Sequence, residues 1–116
     1  MNSVKKSFGL IKLLYLPLLV FTFGFVPQAY ASAADNIYIA QSTAGSANGV
    51  SCANAYAVSF FNTATNWGST TGKIGPGTTV HLCGTISSSL WALGSGVSGM
   101  QITVLFEAGA KISMPV

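Results

Sequence analysis

Few side chains in this 116-residue chain can do covalent or acid–base chemistry. Cys52 and Cys83 stand 31 residues apart, His81 is the lone histidine, Asp35 and Glu107 are the two carboxylates, and there is no arginine. A nucleophilic cysteine would need His81 as its base. A zinc site would need more ligands at closer spacing, and two cysteines without a CxxC pair plus one histidine make a poor set. In an oxidising compartment an even pair reads instead as a disulfide, Cys52–Cys83. Closing that loop would stabilise the fold by about 3–4 kcal/mol in the chain-entropy model. Unpaired buried thiols and Cys–His chemistry are the rival readings.

His81 could act as a general base, but a lone histidine in a strand more often faces outward, solvated or hydrogen-bonded. Glu107, Lys73 and Lys111 read as surface charges. Trp67 closes an apolar stretch and suits a core, whereas Trp91 could stack on a sugar ring. Gly75-Pro76-Gly77 and Gly94-Ser95-Gly96 are turn residues, because neither has the strand–glycine–helix setting of a phosphate loop. No catalytic, cofactor-binding or metal-binding residue is expected in this segment.

Destination and charge follow from the leader. Lys5, Lys6 and Lys12 precede an apolar run from Leu13 to Val26, and Ala29-Tyr30-Ala31 then offers the small residues that signal peptidase reads. Residues 1–31 are therefore expected to be a signal peptide cut after Ala31, with Ala33 as a second site. A retained membrane anchor is the competing reading, although a span needs about 20 apolar residues. The expected location is secreted, extracellular, periplasmic or cell-surface, with membrane contact only in transit. Beyond the leader, Lys73 and Lys111 balance Asp35 and Glu107. The whole chain's +3 thus describes the leader, and no basic patch points to nucleic acid.

The elements that must position these residues are short. Asn36-Ile37-Tyr38-Ile39-Ala40 alternates like a strand. Residues 41–51 form a Ser/Ala/Gly/Asn loop with Asn48-Gly49 as its turn signal. Val58, Phe61 and Thr65 recur at helical spacing, predicting a helix over 59–67 with Ser59 as its cap and Gly68 at its end. Glycine-led turns then precede Val80-His81-Leu82 and, 22 residues on, Ile102-Thr103-Val104-Leu105-Phe106. A spacing of about 20–25 residues between similar strands is what a solenoid produces. Leu90–Leu93 and 110–114 read as further strands.

Three stretches carry a family resemblance. They are Ile37–Ala40 with Ser51-Cys52-Ala53-Asn54-Ala55 and Val58–Asn62; Gly75-Pro76-Gly77-Thr78-Thr79-Val80-His81-Leu82-Cys83-Gly84-Thr85-Ile86; and Gly94-Ser95-Gly96 followed by Ile102–Ile112. Together they resemble the N-terminal portion of secreted bacterial right-handed parallel β-helix proteins, the pectate lyase-like class. The resemblance implies an all-β solenoid start with a short N-terminal capping helix. Residues 32–72 would hold the entry strand, loop and capping helix. Residues 73–116 would hold the first coil or coils, truncated, with strands at 79–83, 90–93 and 102–106. It also implies a protein that acts on or binds extracellular polysaccharide, as a lyase or glycoside hydrolase whose active site lies beyond residue 116. Calcium would serve the lyase case, and the chain's own downstream coils would be its partners. Lyases use carboxylates and an Arg or Lys base, and hydrolases use clustered aspartates; none of these sets is present, so no catalytic residue is carried over. A non-catalytic surface or envelope stalk or adhesin is the alternative, and a small secreted domain that binds a partner through its open edge is a third.

Overall fold

The computed structural model describes residues 35–116. The expected signal peptide, 1–31, lies outside the described residues.

Six short strands and one turn of α-helix organise the described chain. Strand β1 (Asn36–Ala40) alternates exposed or half-buried residues with buried Ile37 and Ile39. This is the period-2 pattern that a one-sided core demands. Strand β2 (Tyr56–Ala57) leads directly into helix α1 (Val58–Phe61), which turns Val58 and Phe61 into the core. Strands β3 (Thr79–Cys83) and β4 (Thr85–Ile86) follow, then β5 (Thr103–Phe106) and β6 (Lys111–Ile112).

Two sheets result, both parallel. The larger sheet has the order β2-β1-β3-β5, and β4 pairs with β6 in a second, two-stranded ladder. Strand β1 pairs with β3 along its whole length, Asn36 opposite Thr79 through Ala40 opposite Cys83. Strand β3 pairs with β5 from Thr79 opposite Thr103 to Leu82 opposite Phe106.

One face of the large sheet carries Ile37, Ile39, Val80 and Leu82. They join Val58, Phe61, Trp67, Ile74 and Ile86 in a single buried cluster. Each such side chain, fully removed from water, contributes roughly 1.5–3 kcal/mol. The cluster thins toward β5, whose Val104 and Phe106 are 43 % and 48 % exposed.

The expected all-β, right-handed parallel β-helix with a capping helix is corrected by this arrangement. The described residues form a mostly parallel sheet with a few short helical turns, and no closed coil is present among them. Leu90–Leu93, expected to be the middle strand of each turn, forms no strand. The physical reason is a side chain distant in sequence. The Asn62 side chain takes the backbone partners of that stretch, donating to Ser89 O at 2.8 Å and accepting from Trp91 N at 2.9 Å. With those groups bonded to a side chain, no neighbouring strand is needed to satisfy them.

The predicted helix over 59–67 also divides. Helix α1 ends at Phe61 with Asn62 as its C-cap, Thr63 is extended, and Ala64–Asn66 forms a separate 3-10 turn. Asn62, Thr63, Thr65 and Asn66 are weak helix formers whose side chains compete for backbone groups. Thr63 Oγ1 does so here by donating to Ser59 O at 2.7 Å, and Asn66 Nδ2 donates to Phe60 O at 3.0 Å. The break lets Phe61 and Trp67 meet edge to face at 4.9 Å between ring centres, with the Trp67 indole N–H donating to Phe61 O at 2.6 Å.

Candidate functional site

The sheet face opposite the core gathers the chain's polar chemistry. Strand alternation places Asn36 and Tyr38 of β1, Thr79, His81 and Cys83 of β3, and Leu105 of β5 on that side. Glu107, directly after β5, continues the row. Tyr38 and His81 are register partners, and their rings stack with centres 4.3 Å apart and planes 12° from parallel. His81 Nδ1 lies 2.5 Å from Glu107 Oε1, and its Nε2 lies 3.0 Å from Asn36 Oδ1. One imidazole thus bonds to the strand before it and to the segment after β5. The His81 side chain is only 11 % exposed, against 35 % for Glu107.

A carboxylate on one histidine nitrogen is an arrangement that orients a base. Here the second nitrogen is engaged by Asn36, and Cys83 on the same face is already bonded to Cys52. The ring therefore acts as a cross-link between strands. Both of its nitrogens can bond the facing oxygens when the ring is doubly protonated. With the Asn36 amide turned over, the neutral ring with Nδ1–H donating to Glu107 satisfies both as well.

The cysteines are placed as expected: Cys52 and Cys83 form a disulfide with Cα atoms 5.6 Å apart, and no free cysteine remains among the described residues. The bond fastens the loop before β2 to the C-terminal end of β3. It is compatible with an oxidising, extracellular setting. Asp35 accepts from Gly72 N at 2.7 Å and so anchors a turn. Lys111 is exposed, and Lys73 is half-buried. No group of three or more potential metal ligands occurs among the described residues.

A second feature lies at the thin end of the core. A groove of about 570 Å³ is lined by apolar Phe61, Trp67, Ile102 and Val104 and by polar Ser95, Ser98 and Gln101. A smaller one of about 270 Å³ adjoins it across Gly94 and Ser95. Gly94 is required at the junction, because a Cβ there would sit 2.9 Å from the Trp67 ring. No charged side chain lines either groove. Trp67 packs inward as the apolar stretch implies, while Trp91 is 61 % exposed.

Sequence reasoning missed the partnership of His81 with Glu107 and Asn36. The available signal was parity: residues 81 and 107 are both odd, and two parallel strands with an even register offset keep odd residues on one face. No protein-family model, no curated protein and no solved structure matches this chain.

Proposed function

We propose that this chain is an exported protein that binds extracellular polysaccharide through the groove beside Trp67, and that residues 35–116 serve binding rather than bond cleavage. The observation that carries the reading is the character of that groove: its lining combines apolar Phe61, Trp67, Ile102 and Val104 with the hydroxyl and amide groups of Ser95, Ser98 and Gln101. A sugar ring has an apolar face and a hydroxyl edge, and a concave surface with a few convergent polar groups is suited to both. The uncharged lining favours neutral over acidic glycans. Trp91 lies next to the groove residue Ala92 and leaves a large ring face open to solvent. Export is supported by the charged leader with its apolar run and by the Cys52–Cys83 bond.

Affinity electrophoresis of the disulfide-bonded protein through a panel of neutral and acidic polysaccharides tests this. Retardation by at least one neutral polymer is expected, weakened several-fold by Gln101→Ala and by Trp91→Ala. Mobility unchanged by every polymer would refute the reading. A second reading, a non-catalytic envelope scaffold, draws on a different observation: Val104, Leu105 and Phe106 of edge strand β5 are all more than two-fifths exposed.

A further inference from the structure

The loop between β1 and β2 is built with unusual constraint for a surface segment. Asn54 holds it from inside: its Oδ1 accepts from Ser46 N at 2.9 Å and from Ser46 Oγ at 3.0 Å, and its Nδ2 donates to Ser51 Oγ at 3.3 Å. Ala47 takes a left-handed φ of 50°, which costs a non-glycine residue about 1 kcal/mol or more. Gly49 has φ 71°, and a side chain there would overlap the Tyr56 ring. Position 49 therefore accepts only glycine.

That requirement creates a chemical liability, since Asn48 precedes it. An asparagine followed by glycine is prone to intramolecular attack, because no Cβ shields the following amide nitrogen. The Gly49 nitrogen attacks Asn48 Cγ and forms an N–Cγ bond. The Cγ–Nδ2 bond breaks, and Nδ2 leaves as ammonia with the proton released from Gly49. Water then opens the cyclic imide at either carbonyl, leaving aspartate or isoaspartate at position 48. No oxidant or reductant takes part.

The native loop withholds the attacking nitrogen and fixes the orientation of the Asn48 side chain. Gly49 N–H is committed to Asn54 O at 2.8 Å, Gly49 is buried, and Asn48 Oδ1 is held by Val50 N at 3.3 Å. The accepting residue, Asn54, closes the 3-10 turn Cys52–Asn54, whose first residue is bonded to Cys83. The disulfide thus anchors the acceptor that keeps the Gly49 nitrogen from reacting.

We propose that Asn48–Gly49 is a self-modification site gated by the Cys52–Cys83 bond: it is held off while the disulfide is intact and converts once the loop is freed, either by local opening or by an external dithiol that reduces the bond to two thiols and is itself oxidised to a disulfide. Conversion adds a negative charge to an exposed position. Isoaspartate also inserts a methylene into the backbone between residues 48 and 49. That displaces Gly49 O from Tyr38 N, which it accepts at 2.9 Å, and so loosens the bond joining β1 to the loop. A transient reduction would leave a permanent covalent record.

The test is peptide mapping by mass spectrometry of the whole chain aged in mildly alkaline buffer, scored for aspartate and isoaspartate at position 48. A synthetic peptide of residues 44–54 sets the unprotected rate. The disulfide-bonded chain should convert about tenfold or more slowly than the peptide, because reaction requires local opening. The reduced and alkylated chain, and the double variant Cys52→Ser with Cys83→Ser, should approach the peptide rate. Asn54→Ala, which keeps the disulfide but removes the inner brace, should fall between them. Conversion of the disulfide-bonded chain at the peptide rate overturns the proposal, as does a reduced chain that stays as slow as the oxidised one. Should the reduced chain also lose hydrogen-exchange protection in β3, the Asn54→Ala chain decides: a rate equal to that of the unmodified protein overturns loop gating, and a faster rate supports it.

Discussion

His81 Nδ1 and Glu107 Oε1 lie 2.5 Å apart, and this contact joins the middle of β3 to the residue that follows β5. Strand β5 sits at the edge of the sheet with all four residues exposed. The His81–Glu107 hydrogen bond, the β3–β5 ladder and the backbone bond from Glu107 N to Leu82 O at 3.0 Å are what hold it there.

Glu107→Ala should therefore destabilise the fold by about 1 kcal/mol, a value kept low because Glu107 is one-third exposed and its attraction is screened. The loss should concentrate at β5. Hydrogen exchange should show faster opening of Thr103–Phe106 with β1 and β3 little changed. Uniform acceleration across all three strands would contradict a role confined to the edge.

Leu82→Ala acts on the other face. Leu82 is fully buried in the core cluster beside Ile39 and Val80. The lost methylenes and the cavity should cost about 2–5 kcal/mol. In a fold this small that is a large share of the total stability, and chemical denaturation should show a midpoint shifted far down or no cooperative transition.

Replacing Cys52 with serine removes the tie between the loop and β3. A loss of about 2–4 kcal/mol is expected from the freed unfolded chain. Denaturation of the oxidised protein, compared with and without reductant, measures it. A reductant-insensitive midpoint would show that the bond is absent from the folded protein.

The exposed edge predicts self-association. Thr103–Phe106 carries no lysine, proline or bulge to block pairing with another chain. Sedimentation of residues 32–116 should show oligomers, reduced by Leu105→Lys, which places a charge on the outer row without touching the core cluster. Monomers at every concentration would sink this expectation.

The legible parts of the structure were those set by neighbours in the chain. The alternation in 36–40 and the turn-led Val80-His81-Leu82 identified both strands, while the fold decided that Ile37, Ile39, Val80 and Leu82 form the buried face. The glycine-led repeat found β5, although its register proved different: Val80 lies opposite Val104, so the true offset is 24 residues and the apparent one of 22 is two short. An even difference in offset leaves the same side chains of β5 on the core side of the sheet. Strand β2 was hidden, because two residues are too few to show a period and only pairing with β1 makes Tyr56–Ala57 a strand.

By itself the sequence determined which residues seek burial, where glycine must turn the chain, and that two cysteines without other partners would pair. These depend on side-chain type and local spacing, which one strand or turn expresses alone. Tertiary structure alone decided the order β2-β1-β3-β5, the non-strand path of residues 90–93, and the meeting of His81 with Asn36 and Glu107. Each of those rests on a partner far away in sequence. Asn62 satisfies the backbone of residues 89 and 91, and Asn36 reaches His81 from across 45 residues. Local periodicity records that a polar group needs a partner, but only the folded chain brings a particular one within hydrogen-bonding distance.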